Sequence, residues 1–415
     1  MLSLNHGPGP ERLCQLLHNV RHRSDSIAIH GSVTMRDHME RLTRKSALVA
    51  LALVFSISGS ASAEDSEDEA AQESEAEGGN FVPLPIFITE PAVGEGLGAG
   101  LVYFHATPPD ERPKLTTGKE LKRVGRRAKP PPTASGVFAA YTNNDTWGAG
   151  FGHARTWSED TYRFVGAIAA LNVNAAVFAG DIPFSFNIEG NLIYSSIKRR
   201  LFGSDVFLGV SASSLDADVT FNIGGGETPP AELFDFDFQT NGLALSLLYD
   251  ARDDTMMPST GLMVDLTGWW YDEAVGSDFD YTSYRLKIHS FHQLSKNFVL
   301  GLRFDGATVN GDPPFFAVPF VSLRGIPALR YQGDSAGVIE AEGRYTFADR
   351  WAAVAFAGAG YTDEIEPIFA TDNNIRAGGV GIRYQALRSQ NVWLGLDLAW
   401  GPEDEAWYIQ MGHPW

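Results

Sequence analysis

Cysteine, charge and long apolar runs are all scarce in this chain. Its 415 residues include one cysteine, Cys14, and 20% charged residues, while aromatic residues make up 12% and glycines number 43. A single cysteine excludes a disulfide framework. Few charges together with many glycines and aromatic residues favour strands and turns over a disordered or coiled-coil protein.

An apolar run near the start of the chain belongs to an export signal. Arg41, Arg44 and Lys45 precede the run at 47–57, and a small-residue cleavage site follows at 61–63. The run is shorter than the roughly 20 residues that span a bilayer as a helix. A basic start, a short apolar run and a small-residue site together predict a secretory signal peptide.

Two polar segments flank this signal. The residues before it form an upstream extension that contains Cys14, so the mature chain has no thiol. After it, eight acids and no base lie between Glu64 and Glu77, and they supply much of the net charge of -19. Such a stretch predicts a disordered linker.

The rest of the chain alternates in hydrophobicity with a period of two residues. Three segments show this most clearly: Leu262–Trp270, Phe298–Phe304 and Val392–Trp400. Their even-numbered positions are apolar or glycine, whereas Asp265, Arg303 and Asp397 occupy the other face. No run after residue 63 approaches about 18 apolar residues, so if this part of the chain spans a membrane it must do so as a closed β-barrel.

A soluble β-sandwich would show the same alternation, and two details favour lipid outside the sheet. Aromatic residues gather at strand ends, as at 269–271 and Trp400, where the aromatic girdles of membrane barrels lie. The other face carries Arg285, Lys287 and His289, which a dry sandwich core would not accept. The predicted fold class is therefore all-β, a transmembrane antiparallel β-barrel.

Segmentation of this region predicts sixteen strands, an even number, as a single-chain bacterial barrel requires. They lie at 96–106, 134–143, 147–157, 161–172, 184–197, 204–215, 238–250, 260–271, 279–292, 296–307, 315–323, 336–347, 350–361, 375–386, 391–401 and 406–415. The predicted organisation is an upstream extension at 1–38, a signal peptide at 39–63, an acidic disordered linker at 64–80 and an outer-membrane β-barrel at 81–415.

Three motifs resemble those of the BamA/TamA superfamily, the bacterial surface antigen type of outer-membrane barrel. Pro83–Phe87, followed by Gly94–Gly100, is similar to the opening of barrels in that group. Tyr249–Thr255, followed by Pro258–Gly261, is similar to the family's D-x-R-x-x…P-x-x-G turn. Ser322–Ile326 resembles the V-R-G-F/Y motif on the family's long loop. The resemblance spans the whole predicted barrel.

The resemblance implies that the loop motif folds into the lumen and that Arg324 contacts the barrel wall there. The family's F-x-D-x-G motif is altered, because Gly358 stands where the acid belongs. The carboxylates on the inner face of the preceding strand are then the expected acceptors of the guanidinium. The predicted latch comprises Leu323, Arg324, Gly325, Ile326, Glu340 and Glu342.

The last strand resembles the assembly signal at the end of outer-membrane barrels. Trp407, Ile409, Met411 and Trp415 fall on one face, and an aromatic residue comes last. The resemblance implies recognition by the barrel assembly machinery during biogenesis and contact with outer-membrane lipids afterwards. The predicted location is the outer membrane, reached by export through the periplasm.

A basic segment bounded by prolines at 108 and 132 lies between the first two predicted strands. With a periplasmic N-terminus it would face outside, where its lysines and arginines either bind lipopolysaccharide phosphates or form a solvated loop. No aromatic platform interleaves these charges, which argues against nucleic acid as a partner.

The sequence predicts no catalytic, metal or cofactor site. His289 and Ser290 are adjacent on a strand and point to opposite faces, so they cannot form a local dyad. His105, His153 and His413 show no metal-ligand spacing, and no phosphate-cradling loop is present.

The resemblance implies a non-enzymatic function in outer-membrane biogenesis, or in translocation or insertion of a substrate, with the lumen gated by the loop at 322–335. Assembly members carry POTRA domains before the barrel, and only 64–80 is available here, so none is expected. The alternatives are a passive pore or structural barrel without assembly activity, and a lipid-modifying enzyme.

Overall fold

The structure, a computed structural model, describes residues 80–88, 93–105, 131, 133–179, 182–223, 231–363, 375–387, 391–402 and 405–415. The predicted upstream extension and signal peptide, nearly all of the linker and most of the basic segment lie outside these residues. Within the described part of the chain, no helix is long and apolar enough to cross a membrane.

Sixteen antiparallel strands form one sheet in chain order. They are β1 (Asn80–Ile88), β2 (Gly96–Phe104), β3 (Ala134–Thr142), β4 (Trp147–Trp157), β5 (Tyr162–Ala179), β6 (Ile182–Arg200), β7 (Val206–Ile223), β8 (Ala231–Asp250), β9 (Gly261–Tyr271), β10 (Tyr281–Ser295), β11 (Phe298–Gly311), β12 (Ser335–Ala348), β13 (Trp351–Thr362), β14 (Ile375–Leu387), β15 (Val392–Trp400) and β16 (Glu405–Met411). A 3₁₀ turn, Glu273–Val275, lies between β9 and β10. The sheet curls until β1 and β16 touch, which leaves a nearly closed barrel. The predicted fold class is confirmed.

The first strand of the barrel was not predicted. The segmentation began at residue 96, but β1 lies earlier, at Asn80–Ile88, and pairs with β2. Pro83 and Pro85 concealed it, because proline lacks the N–H donor that a central strand needs. Both prolines are tolerated because β1 is an edge of the sheet.

One predicted strand was wrong, and this error cancels the first in the count. The segment 315–323 belongs to the connection between β11 and β12. Phe320 forms a bridge with Gln332 of that same connection and pairs with no strand of the barrel. Pro314 and Pro319 remove donors that a ladder would use. The apolar side chains of the segment are buried or half-buried against the inner wall and do not face lipid.

The outward face of β5 to β8 changes character along the strands. On β8 the outward residues Leu243, Leu245 and Leu247 are exposed and apolar, whereas Asp235 and Asp237 occupy the same face further from the Asp250 end. Charged side chains on a lipid-facing wall are costly at membrane depth. The leucine half of these strands therefore crosses the membrane, and the aspartate half projects beyond it.

We name the end of the barrel that holds Asn80 and residues 412–415 the terminal end, and the end where β5 to β8 project the hairpin end. Asn80 pairs with Phe104, and Phe104 pairs with Ala134, so the connection between β2 and β3 leaves the barrel at the terminal end. The prediction placed the basic segment at the opposite end because it missed β1. The reason for expecting that segment to meet lipopolysaccharide therefore lapses.

Candidate functional site: an ion network around a loop in the lumen

The connection 312–334, which we name the inserted loop, turns into the barrel and packs against its inner wall. The loop lies against the apolar inner face of β5 to β8 through Phe315, Phe316 and Phe320 near its start and Leu329 further along. Phe315 meets Phe186 of β6 edge to face, with ring centroids 4.8 Å apart. This aromatic packing lies at the hairpin end of the lumen.

A second apolar cluster holds the middle of the inserted loop against a different part of the wall. Val321, Leu323 and Ile326 are buried together with Val338 of β12 and Ile375 of β14. The loop therefore contacts both the β5 to β8 side and the β12 to β14 side of the barrel.

Gly325 lets the loop approach the wall closely. Its φ of +92° is a conformation that residues with a side chain rarely adopt. A Cβ atom at this position would lie 3.1 Å from the backbone carbon of Trp400 and 3.2 Å from the nitrogen of Gly401. The Gly325 N–H donates to the Tyr408 hydroxyl of β16 at 2.9 Å. A larger residue would push the loop away from β15 and β16.

Arg324 projects from this close approach into three carboxylates of the wall. Its Nε donates to Glu340 Oε1 at 2.9 Å, and its Nη1 donates to Asp397 Oδ2 at 2.7 Å. Nη1 also lies 2.8 Å from Glu342 Oε2. Only 8% of the Arg324 side chain is exposed, against 1% or less for the three acids. One guanidinium thus links the inserted loop to β12 and β15.

Burial by itself would lower the pKa of Arg324, but the carboxylates of Glu342, Glu340 and Asp397 outweigh that effect and raise it. The guanidinium also lies over the ring of Phe356 on β13, with Cζ 3.4 Å from the ring centroid. A buried cation is stable where paired acids and an aromatic face replace water. Arg324 therefore stays charged in the lumen.

Further arginines of the wall share the same acids. Arg303 of β11 donates from Nη1 to Glu340 Oε2 at 3.0 Å and from Nη2 to the carbonyl of Ser322 in the loop, also at 3.0 Å. Arg383 of β14 donates from Nη2 to Asp397 Oδ2 at 3.0 Å. These contacts hold the acceptors in place for Arg324 and neutralise the charge of the cluster.

Gly358 stands where the family's F-x-D-x-G motif has an acid, and the structure shows what fills the space of that acid. A Cβ at this position of β13 would lie 2.8 Å from Leu323 Cδ2 and 3.3 Å from Glu340 Cβ. Leu323 of the inserted loop therefore occupies the space that an acid at position 358 would need. Asp397, reached across β14 on β15, supplies a carboxylate to Arg324 in its place.

The terminal end of the lumen is occupied by residues 412–415, which we name the C-terminal tail. Gly412 has a φ of +70° and turns the chain inward after β16. The His413 N–H then donates to the carbonyl of Met256 at 2.8 Å, and its Nε2 lies 3.4 Å from Glu342 Oε1. Burial, with the nearby arginines Arg344, Arg324 and Arg383, holds the pKa of His413 well below its ordinary value.

The turn between β8 and β9, which carries the D-x-R motif, lies beside this tail. Asp250 accepts from Arg252 Nε at 2.9 Å and from Arg163 Nη1 at 3.1 Å. The carbonyl of Pro258 accepts from Arg344 Nη2 of β12 at 2.7 Å. Because Arg344 and the tail both contact this turn, the D-x-R turn, the tail and β12 form one connected layer at the terminal end.

The structure brings the six predicted latch residues together but separates the predicted C-terminal set. Trp407 and Ile409 are exposed on the outer face, 42% and 40% respectively, and Met411 pairs with Leu394 at the end of β16. Trp415 does not share their face. It lies inside the barrel, stacked on Phe291 with ring centroids 5.6 Å apart. The positive φ of Gly412 breaks the alternation on which the prediction relied.

Sequence reasoning missed several members of the network: Arg303, Phe356, Arg383, Asp397 and Tyr408. Arg303 and Asp397 carried a signal, because each is a charged residue that the period of two places on the inner face of its strand. The others depend on register between distant strands. Among the described residues, no group of three or more His, Cys, Asp or Glu side chains is arranged to hold a metal ion.

Comparisons with known proteins agree with this architecture. A family model described as the Omp85 superfamily domain matches residues 168–319. Comparison with curated protein sequences finds no match. The structure of BamA from Haemophilus ducreyi lacking POTRA domains 1-3 is similar, with a TM-score of 0.53 and 11% identity over 80% of this chain and 69% of that one. CdiB from Acinetobacter baumannii is similar at a TM-score of 0.51 and 8% identity.

The match to CdiB covers 80% of this chain and 59% of that one, so this chain spans less than two thirds of its length. At such low sequence identities, similarity to the solved structures shows the fold alone. The sixteen-stranded antiparallel sheet, the inserted loop and the family match lead to one conclusion. Residues 168–319 match the Omp85 superfamily domain, and the chain has the fold of a β-barrel similar to that of BamA.

Proposed function

We propose that this barrel moves a substrate across or into the outer membrane, and that the inserted loop opens and closes its lumen. The observation that carries the proposal is the seating of Arg324 between Glu340, Glu342 and Asp397. A lumen that conducts a substrate has to be closed at rest, since an open one would leak solutes. The inserted loop closes it, and Arg324 is the latch.

The arrangement suits a latch because its contacts are formed and lost together. If the loop leaves the wall, three carboxylates lose a shared guanidinium inside the barrel. Removing one partner from a buried ion network costs about 3–5 kcal/mol. The apolar contacts of Val321, Leu323 and Ile326 add to that barrier. Release therefore needs a substrate or partner whose binding energy offsets this cost.

The edge strands β1 and β16 support the part of the proposal in which a substrate moves into the membrane. β1 and β16 touch, and no hydrogen-bonded ladder joins their described residues. Pro83 and Pro85 in β1 reduce its capacity to pair. A seam of this kind offers a lateral route from the lumen into the bilayer.

We further propose a non-enzymatic role, and assembly of this barrel by the cellular barrel assembly machinery acting on β16. Trp407 and Ile409 present an apolar face of that strand to the outside. This proposal rests on the position of β16 as the last strand of the sheet.

Planar-bilayer conductance tests the latch. Arg324→Ala is expected to give larger and more frequent openings than the natural protein. Arg330→Ala is the matched control, because Arg330 lies in the same loop and its guanidinium lies over the Tyr331 ring, 5.2 Å from the centroid. If Arg324→Ala stays closed, the latch proposal is wrong. Steady conductance in the natural protein would favour the passive-pore alternative.

The cellular role has a separate test. Depletion of the protein is expected to change the protein or lipid content of the outer membrane, and an Arg324→Ala copy is expected not to restore it while Arg330→Ala does. Unaltered membrane content after depletion would favour a structural barrel without transport activity.

A further inference from the structure

The outer wall of β10 to β13 carries a groove near the hairpin end. Its volume is about 550 Å³, which is in the range of roughly 300–1,000 Å³ typical of small-molecule sites. Phe304, Ile339 and Tyr361 border it and are exposed on the apolar outer face of the barrel. The groove is therefore continuous with the surface that faces lipid. We name it the outer groove.

Two glycines on neighbouring strands leave the outer groove open. Gly306 of β11 pairs with Gly337 of β12. The same row of the sheet continues to Leu286 of β10 and to Tyr361 of β13. Side chains two residues apart on a strand point the same way, so the period of two places all four positions on the outer face. Two adjacent positions of the wall thus lack a side chain, while larger residues stand around them.

The backbone does not require glycine at either position. Neither glycine has a positive φ, and the strand register is unbroken across both. A Cβ at Gly306 would meet only the Phe304 ring, at 3.4 Å, and a Cβ at Gly337 would lie 3.7 Å from the Asp305 carbonyl oxygen. Glycine within a strand weakens it and often marks the close approach of a ligand. Because no bulge or backbone contact accounts for these two glycines, the ligand is the favoured explanation.

A pair of hydroxyl groups lies at the hairpin side of the outer groove. Thr308 and Ser335 face each other across β11 and β12, in the next outward row after the two glycines. Their side-chain oxygens are hydrogen-bonded at 3.0 Å. Two hydroxyl groups have two protons and their mutual hydrogen bond uses one, so the other can be donated to a ligand. The groove thus combines an apolar lining with one hydrogen-bond donor at its end.

Aromatic residues place this hydroxyl pair at the level of the headgroups. Tyr284 lies in the same row as Thr308, and its ring centroid is 6.3 Å from that of Trp270. Both aromatic side chains are exposed on the outer face, and such residues gather where a membrane barrel meets the headgroups. The first and last strand ends of an even-stranded barrel are periplasmic, so the hairpin end lies outside. The outer groove therefore runs from the headgroups into the hydrocarbon of the outer leaflet.

We propose that the outer groove binds one acyl chain of lipid A, the acylated part of the lipopolysaccharide in the outer leaflet. The apolar lining receives the hydrocarbon chain, and the hydroxyl pair of Thr308 and Ser335 donates to the carbonyl oxygen of the ester or amide that joins the chain to its headgroup. Strands β10 to β13 are paired on both edges, so a partner protein could not add a strand here. The site uses none of the residues of the latch and is independent of the proposed gating.

Native mass spectrometry of the full protein with lipid A tests the outer groove. Gly306→Leu and Gly337→Leu fill the groove, and each is expected to reduce retention of lipid A about tenfold or more, because losing contact with two methylene groups already has about that effect. Gly343→Leu is the matched control. Gly343 is an outward glycine of β12 nearer the terminal end, and a Cβ there meets only the end of the Phe298 ring. This variant is expected to retain lipid A as the natural protein does.

The hydroxyl pair has its own variant. Thr308→Val combined with Ser335→Ala keeps the groove open and removes the donor, and it is expected to weaken retention about fivefold, the effect of one hydrogen bond. Unheated gel mobility confirms that each variant is folded before its lipid retention is compared.

Three results would overturn the proposal. Unchanged retention of lipid A in folded Gly306→Leu and Gly337→Leu would show that the groove is not its site. Retention of phosphatidylglycerol in preference to lipid A would assign the groove to a phospholipid. A changed oligomeric state in the filled variants, with lipid A still retained, would show that the groove contacts a second copy of the chain.

Discussion

Replacing Asp397 by asparagine is the sharpest test of the ion network. Asp397 is fully buried and accepts from Arg324 Nη1 at 2.7 Å and from Arg383 Nη2 at 3.0 Å. Asp397→Asn keeps the size of the side chain and removes its charge. Arg383 is then left with Glu342, whose nearest oxygen lies 3.8 Å away.

The expected cost follows from this geometry. Removing one partner of a buried ion pair destabilises a protein by about 3–5 kcal/mol, which is roughly two to three and a half powers of ten in the folding equilibrium. The matched control is Asp265→Asn, because Asp265 is also an inward acid and pairs with Lys198 at 3.0 Å, but both side chains are more than 20% exposed. A pair that reaches water is worth less than about 1 kcal/mol.

Urea unfolding in detergent micelles, followed by tryptophan fluorescence, measures both free energies of unfolding. Arg324→Gln and the double variant complete a cycle, and we expect Arg324 and Asp397 to be coupled by about 0.5–3 kcal/mol. If Asp397→Asn costs no more than Asp265→Asn, the network does not hold the loop, and the latch loses its physical basis.

Three further predictions concern other parts of the barrel. Gly325→Ala is expected to destabilise the seated loop by about 1–3 kcal/mol and to increase conductance, whereas Gly337→Ala, where a Cβ would have 3.7 Å of clearance, is expected to change neither. Because the pKa of His413 is held well below its ordinary value, the C-terminal tail is most stable while the imidazole is neutral. Protection of the tail from carboxypeptidase is therefore expected to fall as pH drops below about 6.5. In His413→Gln this pH dependence is expected to vanish, and an unchanged pH profile would show that His413 does not cause it. Trp407→Ala is expected to lower the fraction of barrel assembled in cells, measured by unheated gel mobility, more than Trp415→Ala, and the reverse order would place the assembly signal in the tail.

The latch was partly predictable because some of its members are close in the chain. Glu340 and Glu342 lie on the strand that follows the inserted loop, and the period of two assigned both to the inner face. Asp397 lies 73 residues from Arg324 and belongs to a different strand pair. Its part in the site depends on how far the sheet curls, which no local pattern reports.

The strand count shows how two local errors can cancel. The prolines in β1 argued against a strand, but β1 is an edge strand and an edge strand tolerates proline. The apolar segment 315–323 argued for a strand, but its apolar side chains pack inside the lumen. The missed strand also had an effect beyond the strand count. Missing β1 moved the connection between β2 and β3 to the wrong end of the barrel, and with it the inferred partner of the basic segment.

The sequence by itself determined the type of β-sheet that forms the barrel wall. Alternation with a period of two residues is a local property, so one apolar face, one polar face and fifteen of the sixteen antiparallel strands could be inferred from neighbouring residues alone. The tertiary structure decided what lies within and upon that wall. Arg324 among its acids and Trp415 inside the lumen both result from register and closure, which bring together residues that are far apart in the chain.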